Sequence, residues 1–400
     1  MVENYDIVIV GAGLIGASLA LDLAQRSSLK IGVFERGAPL EISDGVEASN
    51  QRVVALGRPA ISVLKRVGVF DLLTPNQAYP YHQMTVWDEN SNGELSFNAD
   101  SIGQTELGYM VDALACTKAL QTNILAGLHD NLSFSFGADL QGMALSQNGA
   151  EVILADESIK ARVVIGADGA NSWVRRQAKI FANRLDYKQN GVVAKIKTSE
   201  SHRDCAWQRF LSTGPIAALP LKDNFSSIVW SLDSVSASEV VSLSDREFKS
   251  ALSSAFDYRL GNVLEVSERQ IFPLLSQRAD SYSAPSVVLV GDAAHSIHPL
   301  AGQGANLGFK DLDCLSDLLT SSKRGDVGSL ALASHYERKR RRDNEQTDWL
   351  MSALNATFQS RLPLLLALRG VGMNAINSQE WLMSLLAQQA SGTLKESELT

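Results

Sequence analysis

The chain has 400 residues, 45% of them hydrophobic and 20% charged, an ordinary globular balance with room for two domains or one large domain carrying an insertion. Its formal net charge of −8 argues against a nucleic-acid binder, which needs a basic face. Three dispersed cysteines, Cys116, Cys205 and Cys314, form no CxxC pair, so neither a disulfide framework nor a structural zinc site is expected and a reducing cytoplasm fits best.

The first element, Tyr5–Val10, is β-branched and alternates little, as in a strand buried on both faces. The start carries Glu3 and Asp6 and no basic leader region, so no signal peptide is expected. The uncharged run from Ile7 to Leu21 is glycine-rich and too short for a membrane span. Gly11-Ala12-Gly13-Leu14-Ile15-Gly16 opens a helix predicted over Leu14–Gln25, and Lys30–Phe34 supplies a second buried strand, completing a βαβ unit. Gly11 permits the tight turn, Gly13 lets the backbone approach a pyrophosphate, and Gly16 lets the helix lie against the sheet, with the helix N-terminus facing the phosphates. Glu35 lies 19 positions after Gly16, where a carboxylate accepts hydrogen bonds from a ribose. The motif marks a dinucleotide site without distinguishing FAD from NAD.

Next comes a short apolar strand, Arg162–Ile165, running into Gly166-Ala167-Asp168-Gly169-Ala170-Asn171-Ser172 and closed by Val174 and Arg175. An acid between glycines can lie close to backbone and ligand, though alone the pattern reads as a simple Asp-Gly turn. From Gly191 to Phe272 the pattern changes to strands, at Gly191–Lys197, Ile216–Leu221 and Ser227–Leu232, separated by polar turns, which predicts an antiparallel insertion and a second domain. Ser286–Val290 returns to a buried strand and leads into Gly291-Asp292-Ala293-Ala294-His295, then His298-Pro299-Leu300-Ala301-Gly302-Gln303-Gly304-Ala305-Asn306. Asp292 falls at the C-terminal end of a parallel strand, where open sheets bind ligands. Gly302 and Gly304 allow a flat ring to lie on bare backbone, and the helix beginning near Ala305 directs its positive end at that ring. His295 and His298 read first as packing or hydrogen-bonding groups. From Asn306 onward the chain is helical, with Leu312, Leu315 and Leu319 on one face. The basic run Arg338-Lys339-Arg340-Arg341-Arg342, followed by Asp343 and Glu345, reads as a solvated helix face with intrahelical pairs, with attraction to anionic lipid as the alternative. The apolar piece Leu362–Leu368 is bracketed by Arg361 and Arg369.

In this order the three motifs resemble the flavoprotein aromatic hydroxylases of the para-hydroxybenzoate hydroxylase type, and within them the ubiquinone-biosynthesis hydroxylases. The likeness extends to Asn50-Gln51-Arg52 through Ala55-Leu56, to Trp207-Gln208-Arg209-Phe210 with Gly214-Pro215 and Leu219-Pro220-Leu221, and to Tyr336-Glu337-Arg338. It implies an α/β, doubly wound FAD-binding domain with an inserted antiparallel substrate domain and a helical C-terminal segment. The FAD-binding parts would be 1–80, 105–180 and 276–335, the substrate parts 81–104 and 181–275, and the helical segment 336–400. By the same likeness Glu35, with Arg36 beside it, binds the adenosine ribose, Arg52 reaches the FAD phosphates, and Asp168 with Gly169 supports the NADPH and FAD groove. Asp292 holds the ribityl chain; Pro299, Gly302, Gln303 and Gly304 line the flavin ring, with Ala305 and Asn306 also at the cofactor. One departure stands out: the family reads Glu-Asn after a Tyr-containing strand, whereas Tyr109-Met110-Val111 here runs into Asp112-Ala113, which puts that contact with flavin or phosphate in question.

No nucleophile–base pair, metal cluster or Walker loop is visible, so the hard chemistry belongs to the cofactor. The resemblance implies that the flavin, reduced by NAD(P)H or another donor, adds O2 as a C4a-hydroperoxide whose distal oxygen passes to an electron-rich phenol. The protein would exclude water, hold the ring and favour the phenolate, with His298, beside Pro299, as candidate base. The expected substrate is a polyprenylated phenol or benzoquinol. Leu211–Leu221 contains no charged residue, Ile216, Ala217, Ala218 and Leu219 offer an apolar wall, and Arg209 is the only nearby arginine for a carboxylate. Alternatives are a small-phenol hydroxylase or reductase of the same fold, or a non-catalytic FAD-binding member of a ubiquinone-biosynthesis complex. No two tryptophans lie two positions apart, which argues against a halogenase. A cytoplasmic protein is expected, with peripheral contact at the inner face of the membrane, other ubiquinone-biosynthesis proteins as partners, and neither metal nor nucleic acid bound.

Overall fold

The computed structural model describes residues 3–40, 52–296 and 303–359, with Gln388 and Ser391; for residues 3, 303 and 348–359 it describes the backbone alone. The strand Glu3–Val10 lies at the heart of a parallel sheet because it is apolar on both faces: Ile7, Val8 and Ile9 are fully buried. Ile31–Phe34 and Ser158–Gly166 flank it in parallel, with Leu132–Ser135 beyond the first and Val287–Leu289 beyond the second. Their carboxyl ends therefore share one edge, the edge at which an open α/β sheet binds its ligand. The helix Leu14–Arg26 is buried from Gly16 to Ala24 because helices Ala113–Leu125 and Gln303–Ser321 pack over it. Its one buried acid, Asp22, is matched by Arg26, Arg66 and Ser316.

A nine-stranded sheet runs in the order His295–Ser296, Gln270–Ala279, Ala182–Thr198, Phe225–Asp233, Gly214–Pro220, Cys205–Leu211, Gln83–Asp88 and Glu94–Asn98, with Val263–Val266 paired beside Ala182–Thr198. It is antiparallel except between Cys205–Leu211 and Gln83–Asp88. One face carries Val192, Ile216, Ile228 and Trp230 against helices Ser234–Ser242 and Asp245–Ala255, the second of which starts in a capping box of Ser244 and Glu247. The other face meets a three-stranded sheet of Val53–Gly57, Gly108–Asp112 and Ala78–Tyr81, where Met84, Ala206 and Leu219 pack with Ala55, Tyr81 and Met110. Asn306, in the first turn of helix 303–321, closes this seam: its amide donates to the Ala55 carbonyl and its carbonyl oxygen accepts the Gly57 N–H, each at 2.8 Å.

Two expectations need correction. The apolar wall predicted across residues 216–219 is split, because successive strand residues point to opposite faces. Ile216 and Ala218 enter the helix-covered core, while Ala217 and Leu219 turn to the seam. The basic run is not uniformly solvated either: helix Leu330–Gln359 exposes Arg338, Lys339 and Arg342 but buries Arg340, whereas Arg341 keeps the expected intrahelical pairs with Glu337 and Glu345. Leu362–Leu368 lies outside the described residues. Among the described residues no helix is long and apolar enough to cross a membrane, and no three metal-ligating side chains gather.

Candidate cofactor and substrate site

The three glycines of the first turn have different reasons to be glycine. Gly11 has φ +101°, and a Cβ there would lie 2.5 Å from the Ala167 carbonyl oxygen; a Cβ at Gly16 would lie 2.0 Å from the Gly11 carbonyl oxygen. Protein backbone thus forbids a side chain at both. Gly13 has φ −72° and ψ −171°, which any residue adopts, and a Cβ added there would meet no atom of the described residues within 4 Å. No described residue accounts for its bareness, which leaves room for a ligand on the turn. Gly13 is also the N-cap of helix 14–26, with no side-chain cap and no acid in the first turn, which leaves the positive helix end to an anion. A Cβ at Gly304, at the start of helix 303–321, likewise meets no described atom within 4 Å.

Glu35 sits half-buried at the end of strand 31–34. Its Oε2 accepts the Ala12 N–H at 2.7 Å and its Oε1 the Gly37 N–H at 2.9 Å. Gln121, from helix 113–125, donates to the Ala12 carbonyl at 2.9 Å, so Ala12 is held through both its N–H and its carbonyl. Sequence reasoning passed over Gln121, since nothing local marks a helical glutamine as support for a turn 109 residues earlier. Asp112, at the departure from the family pattern, caps that same helix, its Oδ1 accepting the Leu114 and Ala115 N–H groups at 3.0 Å. Arg36 is exposed, 6.0 Å from the Trp173 ring centroid, and Arg52 is exposed with its carbonyl accepting the Ala113 N–H. Asn50 and Gln51 lie outside the described residues.

In the second motif Gly169 takes φ +77°, Ser172 caps helix Trp173–Gln177, and Asp168 supports the same helix start, its Oδ2 accepting the Trp173 and Val174 N–H groups at 2.6 and 3.1 Å. Its Oδ1 is buried and meets no partner among the described residues. Arg175, itself buried, donates to the carbonyls of Ala170 and Ala293, tying the second motif to the third. From the nine-stranded sheet, Gln277 donates to the Ala170 carbonyl at 2.9 Å, so the loop is held from both sheets.

In the third motif Gly291–Ala293 forms a single tight turn that presents Asp292, half-buried, with no side-chain hydrogen bond to a described residue. Fully buried Asp311 holds this turn from below: its Oδ2 accepts the Gly291 N–H at 3.0 Å and lies 2.6 Å from His295 Nε2, while its Oδ1 accepts Arg340 Nε at 2.8 Å. Burial alone would raise the Asp311 carboxyl, but the His295 ring and the Arg340 guanidinium outweigh it and hold the group at about 2. Burial likewise works against the Arg340 charge, and Asp311 more than offsets it. Tyr336 adds a hydrogen bond to the Leu289 carbonyl at 3.0 Å. His295 is thus the hydrogen-bonding residue expected, whereas Asp311 and Arg340 escaped notice, Arg340 because it sits inside a run that looks solvated. His298, Pro299 and Gly302 lie outside the described residues, and of Gln303 only the helical backbone is described.

Residues 4–348 match the family described as FAD binding domain. The chain is 32% identical, over 99% of its length and 98% of the relative's, to 3-demethoxyubiquinol 3-hydroxylase of Escherichia coli (strain K12). It belongs to the ubiquinone-biosynthesis hydroxylases. The human ubiquinone biosynthesis monooxygenase COQ6, mitochondrial, is also 32% identical, with 94% of this chain and 90% of that protein covered. Among solved structures, p-nitrophenol 4-monooxygenase PnpA from Pseudomonas putida DLL-E4 matches with a TM-score of 0.76 at 17% identity, covering 97% of this chain and 98% of that one, a likeness of fold. The chain is therefore an FAD-dependent monooxygenase of this hydroxylase family, on the doubly wound fold with its antiparallel sheet that the motifs predicted. The bare surfaces at Gly13 and Gly304 and the uncapped helix end fit a bound FAD.

Proposed function

We propose that this enzyme hydroxylates the aromatic ring of a polyprenylated phenol or benzoquinol on the ubiquinone pathway, using O2 and electrons from NAD(P)H. Bound FAD, once reduced, supplies the chemistry that places one atom of O2 on the ring and releases the other as water. The chain's own part is binding and enclosure. Gly13 and the end of helix 14–26 would receive the pyrophosphate; Glu35 and Arg36 would hold the adenosine ribose end, and Arg52 the phosphates. Asp168 and Gly169 would shape the groove between the sheets, and Asp292 would receive the ribityl hydroxyls. Pro299, Gly302, Gln303, Gly304, Ala305 and Asn306 would bound the ring, with His298 beside it as the candidate to take the phenolic proton.

The observation that carries the substrate class is the seam face of the nine-stranded sheet. Val86, Phe210 and Ala217 alternate onto this face, away from the helices and beside Ala206 and Leu219, which pack against the three-stranded sheet; the buried acid Asp88, opposite Phe210, is on the same face. Arg209, the only arginine in the segment 205–221, faces the other way and donates to the carbonyls of Ser254 and Ala255. A small aromatic acid would find no arginine fork here, while a prenyl tail would gain about 0.8 kcal/mol for each buried CH2. The names of the relatives point to the same chemistry. With phenols of one ring pattern and increasing prenyl length, kcat/KM should climb over the first isoprene units. Good turnover of para-hydroxybenzoate with none of the prenyl phenols would overturn the reading.

A further inference from the structure

Gln208 is a part of the Trp207–Phe210 motif that neither the cofactor nor the core accounts for. In strand Cys205–Leu211 its neighbours Trp207 and Arg209 turn toward the helices: Trp207 packs with the tryptophan-rich core and Arg209 binds helix-end carbonyls. Alternation sends Gln208 to the opposite face, the one whose Ala206 and Leu219 meet the three-stranded sheet. Its cross-strand partners there are Val86 and Ala217 and its neighbours along the strand are Ala206 and Phe210, all apolar, with the buried acid Asp88, opposite Phe210, diagonal to it. Gln208 is only 6% exposed; its carboxamide is bonded to no described residue, but it is not fully enclosed either. An uncharged polar group that keeps an opening on a largely apolar face is placed to meet a ligand, as the few polar groups of apolar binding sites are.

We infer that the carboxamide of Gln208 is the polar contact for the substrate ring, bonding a ring oxygen while the surrounding apolar face takes the rest of the molecule. The inference rests on the seam face being the substrate wall, as proposed above. A carboxamide offers two N–H donors and one acceptor oxygen without charge. It suits a phenolic hydroxyl, with a second ring oxygen beside it, and gives no ion pair to a carboxylate. Gln208 is thus a specificity residue that separates hydroxylated prenyl rings from aromatic acids and from rings whose hydroxyl is blocked.

The test uses the FAD-loaded enzyme and two probes, a short-chain prenyl phenol and its methyl ether, titrated by the change in flavin absorption. The wild type should bind the phenol more tightly than the ether. Gln208→Met, close in volume and free of strong polar groups, should lose about tenfold in affinity for the phenol and little for the ether, so the preference collapses. FAD content and the unfolding midpoint of the variant serve as the folding control; should Met disturb them, Gln208→Leu is read in the same way. Equal phenol affinity in wild type and folded variant, or equal losses for both probes, overturns the role of Gln208 while leaving the seam as substrate wall. Failure of the wild type to bind either prenyl probe overturns the substrate reading itself, and the role of Gln208 with it.

Discussion

The division among the three glycines gives a sharp prediction. Gly13→Ala places a methyl where no described residue has an atom within 4 Å, on a backbone that alanine adopts freely. The apo protein should lose less than about 1 kcal/mol, the modest difference between glycine and alanine at an N-cap. If the pyrophosphate lies against this position, the same methyl overpacks the holo site, a cost of about 1–3 kcal/mol, or roughly a five- to hundredfold rise in the FAD Kd. Gly13→Val should be worse. Gly16→Ala makes the opposite pattern, since its Cβ would lie 2.0 Å from the Gly11 carbonyl oxygen and the helix must move off the sheet with or without cofactor. The assay pairs fluorimetric FAD titration with circular-dichroism melting of the apo proteins. The reasoning is refuted if both Gly13 variants bind FAD as tightly as wild type, or if apo Gly13→Ala melts as early as Gly16→Ala.

Glu35→Ala should raise the FAD Kd about ten- to hundredfold, the worth of a charge-assisted hydrogen bond of about 1.5–3 kcal/mol, and an unchanged titration would remove Glu35 from the ribose site. Arg340→Met leaves the Asp311 carboxylate buried with one partner fewer and should destabilise the protein by about 3–5 kcal/mol, seen as an earlier urea midpoint with flavin released in parallel. The folded pKa of Asp311, about 2, lies below the ordinary 3.8, so its contribution is full above that value and is lost as pH falls through the window between them. Without Arg340 the carboxyl titrates at higher pH, so acid release of flavin should begin at higher pH in the variant; an onset that does not move would show that the network does not hold the loop.

What could be read from the sequence was what local spacing encodes. Gly11 to Glu35 spells a whole βαβ unit with its turn and acid, and the glycine–aspartate clusters after residues 165 and 290 mark strand ends, because each lies within a few residues of the element that positions it. The supports were hidden because they are tertiary. Gln121 reaches Ala12, and Arg340 reaches Asp311, across separations that no periodicity links. Arg340 shows the reason well: in five consecutive basic residues on a helix, one position falls on the buried face, and composition alone cannot say which. The apolar stretch 216–219 illustrates the same limit for strands, where the face of each residue depends on the register set by its partners.

The central claim, oxygen insertion into a prenylated ring, is tested most directly by a single turnover under labelled oxygen. The FAD-loaded enzyme is photoreduced without air, mixed with a short-chain prenyl phenol and exposed to 18O2, and the product is weighed by mass spectrometry. The account predicts a hydroxylated ring carrying one labelled oxygen atom, with none entering from water. Reoxidation of the flavin with the phenol returned unchanged, or a product oxidised without labelled oxygen, would contradict it.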